Sequence, residues 1–459
     1  MSLPEDFIQN MQPLLGNEWE NFKDSLYEES TISIRINPRK RNTITESYER
    51  VQWSLYGYYL PERPAYTFDP LFHAGVYYPQ EASSMFIEQV FIQYLKGKDI
   101  KVLDLCAAPG GKSTHIASLI SDESLLVSNE VIRSRSRILS ENITKAGYPN
   151  VMVTNNDPAN FANIPAFFDV ILIDAPCSGE GMFRKDRSAA DEWSPANVRL
   201  CSERQRRIIA DAWRALKPDG ILVYSTCTFN RFENEDNIQW MKQEFKAQDL
   251  SVDIQPEWDI SPSYDNDISA YHFFPHKVKG EGFFISVLRK ENEELIYTKQ
   301  NDKKEGKQKP GSLPKDMEGY LINPEKFQIF DKNSRWFAFP KSLYDDFNIL
   351  AKQLKLVSAG IYIVETKGKD LIPQHSLALS NNLNPEAFCR TEIDWQTAIR
   401  YLRRESISFD NLPKGFILLT YENVPLGFIK NIGSRSNNLY PNEWRIHSAQ
   451  TINEAVKVL

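Results

Sequence analysis

Asp174-Ala-Pro-Cys-Ser-Gly-Glu-Gly181 follows the apolar run Val170-Ile-Leu-Ile173, and Ser225-Thr-Cys-Thr228 follows Gly220-Ile-Leu-Val-Tyr224. Both runs read as buried strands, so Cys177 and Cys227 are expected at the carboxyl ends of neighbouring strands, the edge where open α/β sheets bind ligands. A lone cysteine is more often a small buried hydrophobe than a nucleophile. Two of the five at one rim, beside a carboxylate, shift the reading toward chemistry. A free thiol with a pKa near ~8.5 is only a few per cent thiolate at pH 7, so its setting must favour the anion. Such a set suits methylation of a pyrimidine carbon: carbon 5 of cytosine is a poor nucleophile until a thiolate adds at carbon 6 and makes the ring enamine-like. One thiol must add, and something must later eliminate it. Asp174 ends an apolar strand, where desolvation is expected to raise its pKa and let it donate to ring N3. A scheme acting on adenine N6 favours Asp/Asn-Pro-Pro-aromatic at this point, and Ala175-Pro176-Cys177 lacks the second proline and the ring.

The methyl donor's place is sought at Asp104-Leu-Cys-Ala-Ala-Pro-Gly-Gly-Lys-Ser-Thr114, which follows a predicted strand and opens a predicted helix. There, backbone N–H groups and the helix dipole face a ligand. Gly111-Lys112-Ser113 fits the end of a P-loop, but the first glycine that motif requires is Cys106, which weighs against an ATPase. In the alternative, Cys106, Ala108 and Gly110 are small enough for the chain to pass close to a ligand, and Pro109 fixes φ. Glu130 lies about 20 residues beyond Gly110, the spacing of a carboxylate that accepts ribose hydroxyl protons. Asp157, after the third strand, is placed to read an adenine edge. Either acid alone is more often an ordinary strand-end residue, but the ordered set describes an adenosyl site such as one for S-adenosylmethionine.

These residues need a scaffold, and the chain is long enough for about three domains at the ~150-residue prior. It has 459 residues, 41% hydrophobic and 25% charged, and a net charge of -7, which is ordinary globular composition and excludes collagen, disulfide scaffolds and disorder. The acidic sum does not advertise nucleic-acid binding, yet it says nothing about local clusters. Cys106, Cys177, Cys201, Cys227 and Cys389 form no CxxC pair and no signal peptide precedes them, so reduced cytosolic thiols are expected, without a metal site. No apolar run approaches the roughly 18 residues of a membrane span.

Within 1–75, Phe7, Met11, Leu14, Leu15, Trp19 and Phe22 mark an amphipathic stretch, and Ile32, Ile34 and Ile36 alternate with Ser33, Arg35 and Asn37 as a strand with one buried face. Arg35 and Asn37 are expected either on a solvated face or against a phosphate. From 76 to 290 the pattern is helix 82–95, strand 101–105, helix 112–120, strand 125–129, helix 132–146, strand 151–154, strand 169–174, helix 197–216 and strand 220–224, an alternation that defines a doubly wound parallel sheet. Residues 291–315 are charged and end in Pro310, Gly311 and Pro314, as a linker would. Beyond them, at 316–459, Ala359–Val364 and the pair Phe416–Tyr421 and Leu426–Lys430 suggest an α+β module with a basic helix over 395–404.

Asp104-x-Cys-Ala-Ala-Pro-Gly-Gly-Lys112, Asn129-Glu130, Asp174-Ala-Pro-Cys-Ser-Gly179 and Ser225-Thr-Cys-Thr228 resemble the motifs of the RNA cytosine-C5 methyltransferases of the Sun/RsmF type. His73-Ala-Gly-Val-Tyr-Tyr-Pro-Gln-Glu-Ala-Ser-Ser84 is similar to the segment preceding that family's catalytic domain. The resemblance spans roughly 73–290. It implies a Rossmann-like S-adenosylmethionine-dependent methyltransferase sheet between a small α+β N-terminal domain and an α+β C-terminal extension. By it, Cys227 adds to carbon 6, Cys177 assists elimination and Asp174 hydrogen-bonds the cytosine. Cofactor contacts would come from Cys106, Ala107, Ala108, Pro109, Gly110, Gly111, Lys112, Glu130, Asp157 and Asp174, with Arg135 on the next helix. The layout is most similar to the bacterial RsmF subgroup, which implies 16S ribosomal RNA near the decoding centre, or the 30S subunit, as substrate, with a PUA-like RNA-binding module at about 384–459 and a cytoplasmic, monomeric enzyme. A ribosome-assembly binding protein with a vestigial core is the alternative from another class.

For RNA, three basic groups stand out: Arg133, Arg135 and Arg137; Arg184, Lys185 and Arg187; Arg204, Arg206 and Arg207. Solvated helix faces would explain each, but together they could offset the acidic total. Arg400, Arg403 and Arg404 would add phosphate contacts. Phe183 reads as a core aromatic or as a base-stacking ring. A paired cytosine cannot present carbon 6, so the base must be flipped or unpaired.

Overall fold

The computed structural model describes residues 3–42, 47–291, 317, 319–368, 370–409, 412–448, 450 and 454–459, and beyond Glu291 the expected linker lies outside the described residues. The central strands are β1 (Lys101–Asp104), β2 (Leu125–Asn129), β3 (Val151–Thr154), β4 (Phe168–Asp174), β5 (Leu216–Thr226), β6 (Ala270–Phe273) and β7 (Phe283–Arg289). They lie in the order β3-β2-β1-β4-β5-β7-β6. β1 to β5 run parallel, while β7 returns antiparallel to β5. Strand order reverses between β1 and β4, which opens a crevice above their carboxyl ends. Near-continuous apolar runs form these strands because both faces are covered: Val170 and Leu172 enter one core, Ile171 and Ile173 the other.

Helices α1 (Gly111–Leu119), α2 (Arg133–Ala146) and α3 (Pro195–Trp213) stand where the alternation placed them, and α4 (Glu235–Phe245) follows as a helix the sequence reading did not give. The helix expected over 82–95 is instead three short pieces, a 3-10 turn at Ser83–Phe86, an α turn at Ile87–Val90 and a π turn at Phe91–Leu95.

The amphipathic stretch at the N-terminus does not close a core of its own. Its helices, Glu5–Leu15 and Trp19–Ser25, bury Phe7, Met11, Trp19 and Phe22 against Phe183, Trp193, Phe229 and Phe274. Phe7 meets Phe183 at a ring separation of 5.2 Å, and Phe22 meets Phe229 at 4.9 Å. Phe183 is therefore a core aromatic, not a stacking ring. Strand Ile32–Ile36 is the middle of a three-stranded sheet. Both its faces are covered, which corrects the expectation of a solvated or phosphate-facing Arg35 and Asn37. The Arg35 guanidinium donates to Gln80 Oε1 (2.8 Å) and Thr114 Oγ1 (2.7 Å), and Asn37 donates to Ala146 O at 2.9 Å. These residues fasten the N-terminal sheet to α1 and α2.

On the C-terminal side, Leu356–Ala359 pairs antiparallel with β3 and extends the catalytic sheet. The strand expected at 359–364 is thus divided: the chain turns at Gly360, and Ile361–Lys367 joins a separate four-stranded sheet. The expected hairpin is Gly415–Tyr421 with Val424–Asn431, whose turn residues Glu422 and Asn423 have φ of 48° and 64°. Positive φ at both central positions matches strand twist. The basic helix is Trp395–Leu402. Among the described residues no helix is long and apolar enough to cross a membrane.

Candidate active site

A cleft of about 390 Å³ opens above the β1–β4 switch point, lined by Asp104, Cys106 to Pro109, Gly111, Lys112, Asp174, Met182, Lys185, Cys227, Glu281 and Phe283 among others. The sheet places them there: β1, β4 and β5 end side by side, and each hands its next residues to the same crevice. Gly110 lets the turn enter α1, having φ of +117° where an added Cβ would lie 3.2 Å from Leu139 Cδ1. Gly181 permits the β4 loop to pass the β5 loop, because a Cβ there would sit 2.8 Å from Gly282 O and 3.0 Å from Cys227 O.

Cys177 and Cys227 come together, with sulfurs 2.9 Å apart. The Cys227 amide donates to Cys177 Sγ at 3.3 Å. Cys227 lines the cleft and Cys177 stands behind it. The hydrogen bond to Cys227, together with burial, pushes the Cys177 thiol well up, so Cys177 keeps its proton. Asp174 takes the Lys112 ammonium on one oxygen (2.8 Å) and the Ser225 hydroxyl on the other (2.8 Å). Its side chain is one third exposed. Both Asp174 oxygens therefore act as acceptors, and one faces a cation. Burial opposes the charge on Lys112, but Asp174 and Asp104 outweigh it and raise the Lys112 pKa.

The turn residues Cys106, Ala107, Ala108, Pro109, Gly111 and Lys112 border the cleft, whereas Glu130 and Asp157, after β2 and β3, and Arg135, in the first turn of α2, are not among its lining. Arg135 links them, donating to Ala108 O (2.8 Å) and lying 3.6 Å from Glu130 Oε2. Glu130 Oε1 accepts from the Ile132 amide at 2.8 Å. Asp157 caps the 3-10 helix Pro158–Asn163 and is half exposed, 3.9 Å from Arg207. Burial pushes the Cys106 thiol up.

Asp104 was not singled out from the sequence. It is fully buried, takes Ser113 Oγ on Oδ2 (2.6 Å) and leaves Oδ1 without a partner, and burial raises its pKa to about 7. A sequence signal existed, an acid ending an apolar strand. Missed as well were Glu180 and Glu233, two fully buried carboxylates behind the cysteines. Of the basic groups, Arg184 is buried in a two-pronged contact with Glu281 (2.8 and 2.9 Å), which removes it from any RNA surface. Arg206 is held by Asn237 and Trp240. Arg133, Arg137, Lys185, Arg187, Arg204 and Arg207 remain exposed. Arg403 is spent on the Ser448 and Gln450 carbonyls, and Arg400 lies 3.6 Å from Glu405.

The chain matches the family model described as 16S rRNA methyltransferase RsmB/F over residues 92–289. The N-terminal domain of 16S rRNA methyltransferase RsmF matches 3–82, and the methyltransferase RsmF PUA domain matches 389–446. Ribosomal RNA small subunit methyltransferase F of Escherichia coli O127:H6 is 32% identical over 474 residues, covering 96% of each chain. That of Escherichia coli O81 is 32% identical over 470 residues with the same coverage. Among solved structures, a methyltransferase homolog protein from Pyrococcus horikoshii has a TM-score of 0.54 at 27% identity, over 62% of this chain and 95% of that one. NSun6 from Pyrococcus horikoshii, solved with SFG, shares the fold at a TM-score of 0.53 and 22% identity, over 62% of this chain and 98% of that one. The cofactor these findings give is S-adenosylmethionine, and the cleft fits it: a ligand carrying an ammonium and a sulfonium meets an unpartnered, buried carboxylate oxygen on Asp104.

Proposed function

The chain belongs to the RsmB/F family of 16S rRNA methyltransferases, and on that premise we propose that it methylates carbon 5 of a cytosine in 16S ribosomal RNA near the decoding centre, through a cysteine adduct at carbon 6. One observation carries this reading: Cys227 faces the cleft beside the Lys112–Asp174 pair, with the protonated Cys177 at its back. When bound, S-adenosylmethionine supplies the methyl group, held by the Cys106–Lys112 turn, Asp104, Glu130, Arg135, Asp157 and Asp174.

Cys227 Sγ gives its thiol proton to solvent and adds to carbon 6, and the displaced π electrons move toward ring N3 and carbon 5, where the new bond to the methyl group forms. Ring N3 takes a proton from solvent as that charge develops and returns it when the ring is restored, and Asp174, fixed by Lys112 and Ser225, accepts the N3–H hydrogen bond meanwhile. Once its sulfur is bonded to carbon, Cys227 can no longer accept the Cys177 proton, and the main cause of the raised Cys177 pKa is gone. Cys177 loses that proton to solvent and then takes the hydrogen from methylated carbon 5. The carbon 5–carbon 6 double bond re-forms as Cys227 leaves as thiolate. Lys185 lines the cleft, and Arg133, Arg137 and Arg204 are exposed and suited to backbone phosphates. The C-terminal module binds RNA away from the cleft, and the protein works as a cytoplasmic monomer.

Labelled methyl transfer to isolated 30S subunits and to naked 16S ribosomal RNA, followed by bisulfite mapping, tests the reading. A single methylated cytosine position or cluster is expected, with the signal lost in Cys227→Ala while cofactor binding persists. Methyl transfer by Cys227→Ala overturns it, and binding without transfer by the unaltered protein favours an assembly factor.

A further inference from the structure

We propose that Glu180 and Glu233 form a reciprocal clasp that sets the spacing of the two cysteines, each carboxylate riding on one cysteine's loop and holding the main chain of the other's. Glu180, three residues beyond Cys177, accepts from the Phe229 amide (2.7 Å) and the Asn230 amide (2.9 Å) of the Cys227 loop. Glu233, six residues beyond Cys227, accepts from the Ser178 amide at 3.0 Å in return. The remaining acceptor sites are filled too: Trp193 Nε1 (3.0 Å) and Asn230 Nδ2 (2.9 Å) on Glu180, Gln205 Nε2 (2.7 Å) and Asn230 Nδ2 (2.9 Å) on Glu233.

Among the described residues neither carboxylate has a cationic partner. Both are fully buried, and burial together with the Glu180 charge pushes Glu233 up. Two negative groups in this position are costly unless every oxygen receives donors. Packing alone would be met by leucine or methionine, so what the site uses is an acceptor at both oxygens, which a carboxylate offers and its amide does not. Glu180 is the stricter of the two. Main-chain amides cover its Oε2 and an indole N–H its Oε1, and none of these can turn to accept from an amide NH₂. At Glu233, by contrast, the main chain supplies only the Ser178 amide, and the other donors, Gln205 and Asn230, are side chains that can shift. The two glutamates are positioning residues, and their role rests on the assignment of both cysteines to the reaction.

Phenylarsine oxide tests the spacing directly, since the trivalent arsenic bridges two nearby thiols, releasing its oxygen as water with the two thiol protons. In the RNA-free full-length protein, one equivalent is expected to be captured, with none taken up after Cys177→Ala or Cys227→Ala. Glu180→Gln is expected to slow capture at least tenfold and to lower kcat by roughly 10²-fold, with KM for 30S subunits and cofactor affinity little changed. Glu233→Gln should show the same pattern at about a tenth of that size, and it serves as the variant of record if Glu180→Gln does not fold. A merely structural role would lower thermal stability yet leave capture and the kcat-to-KM pattern of the folded fraction unmoved. Full-rate capture with unaltered kcat in a folded, cofactor-binding Glu variant overturns the clasp, as does failure of the unaltered protein to capture the arsenical. The arsenical arm needs no RNA, so it is independent of the cytosine chemistry, which falls instead if Cys227→Ala still transfers methyl groups.

Discussion

Beyond β4 and β5, the loops bearing Cys177 and Cys227 are tied to each other through Glu180, Glu233 and Asn230. Beyond β2 and β3, Glu130 and Asp157 are tied instead to amides two residues further along their own chain. The first arrangement couples two loops 50 residues apart; the second lets each acid be placed on its own. The contrast follows from the chemistry. Two sulfurs acting on adjacent ring carbons must keep a fixed separation, whereas acids touching different parts of an adenosyl group need only reach it independently. Perturbations at the cysteine end should therefore change turnover, and those at the other end affinity.

The sharpest break is Cys177→Ala. Without the group that takes the carbon 5 hydrogen, turnover is expected to fall by about 10²–10⁴-fold. An RNA–protein band should persist on denaturing gels, and its loss on adding Cys227→Ala identifies the bonded sulfur. A variant that turns over normally, without the band, would return Cys177 to a packing role.

Phe7→Ala strikes the same end from behind. Phe7 is fully buried against Phe183 and Trp193, both in the chain following Cys177. The truncation is expected to cost about 3–5 kcal/mol in urea unfolding and to lower turnover more than cofactor affinity. Equal losses in both would show that the N-terminal helices brace the whole sheet rather than its cysteine end.

The coupled end was also the harder one to see in the sequence. Strands and turns of the catalytic sheet were legible because apolar runs end at Gly, Pro and small residues, as at Leu103-Asp-Leu-Cys-Ala-Ala-Pro-Gly110. Arg35, Phe183 and Arg184 were not, since each is defined by a partner far along the chain: Thr114, Phe7 and Glu281. Glu180 and Glu233 look like surface acids in a one-dimensional reading, and only the fold shows that their donors come from the opposite loop. The strand joining the C-terminal region to β3 was hidden for the same reason, because alternation marks a strand but not the sheet it enters.

At the β2 end, Glu130→Gln keeps the shape but removes the charge. Cofactor binding is expected to weaken by about 1.5–3 kcal/mol, with kcat at saturating cofactor near the starting value. Calorimetric titration and initial rates measure the two separately. A fall in kcat matching the fall in affinity would erase the distinction drawn between the two ends.

Asp104 sits where the two ends meet. Its Oδ1 has no partner, in contrast to the saturated oxygens of Glu180, and burial raises its pKa from 3.8 to about 7. A folded pKa above the unfolded value means that the folded protein keeps a proton the unfolded chain releases. The resulting stability is present in full below pH 3.8 and is lost as pH rises through 7. For this group alone, unfolding free energy should decline by about 2 kcal/mol in all between pH 5 and pH 7, with the slope halving as pH reaches 7. Asp104→Asn removes that contribution. Urea unfolding without cofactor should therefore show the difference between pH 5 and pH 7 shifting in the variant toward greater relative stability at pH 7. An unchanged difference would mean that Asp104 already carries its charge in the cofactor-free protein, with its open oxygen satisfied by water, and the cofactor end would then be as fully saturated as the cysteine end.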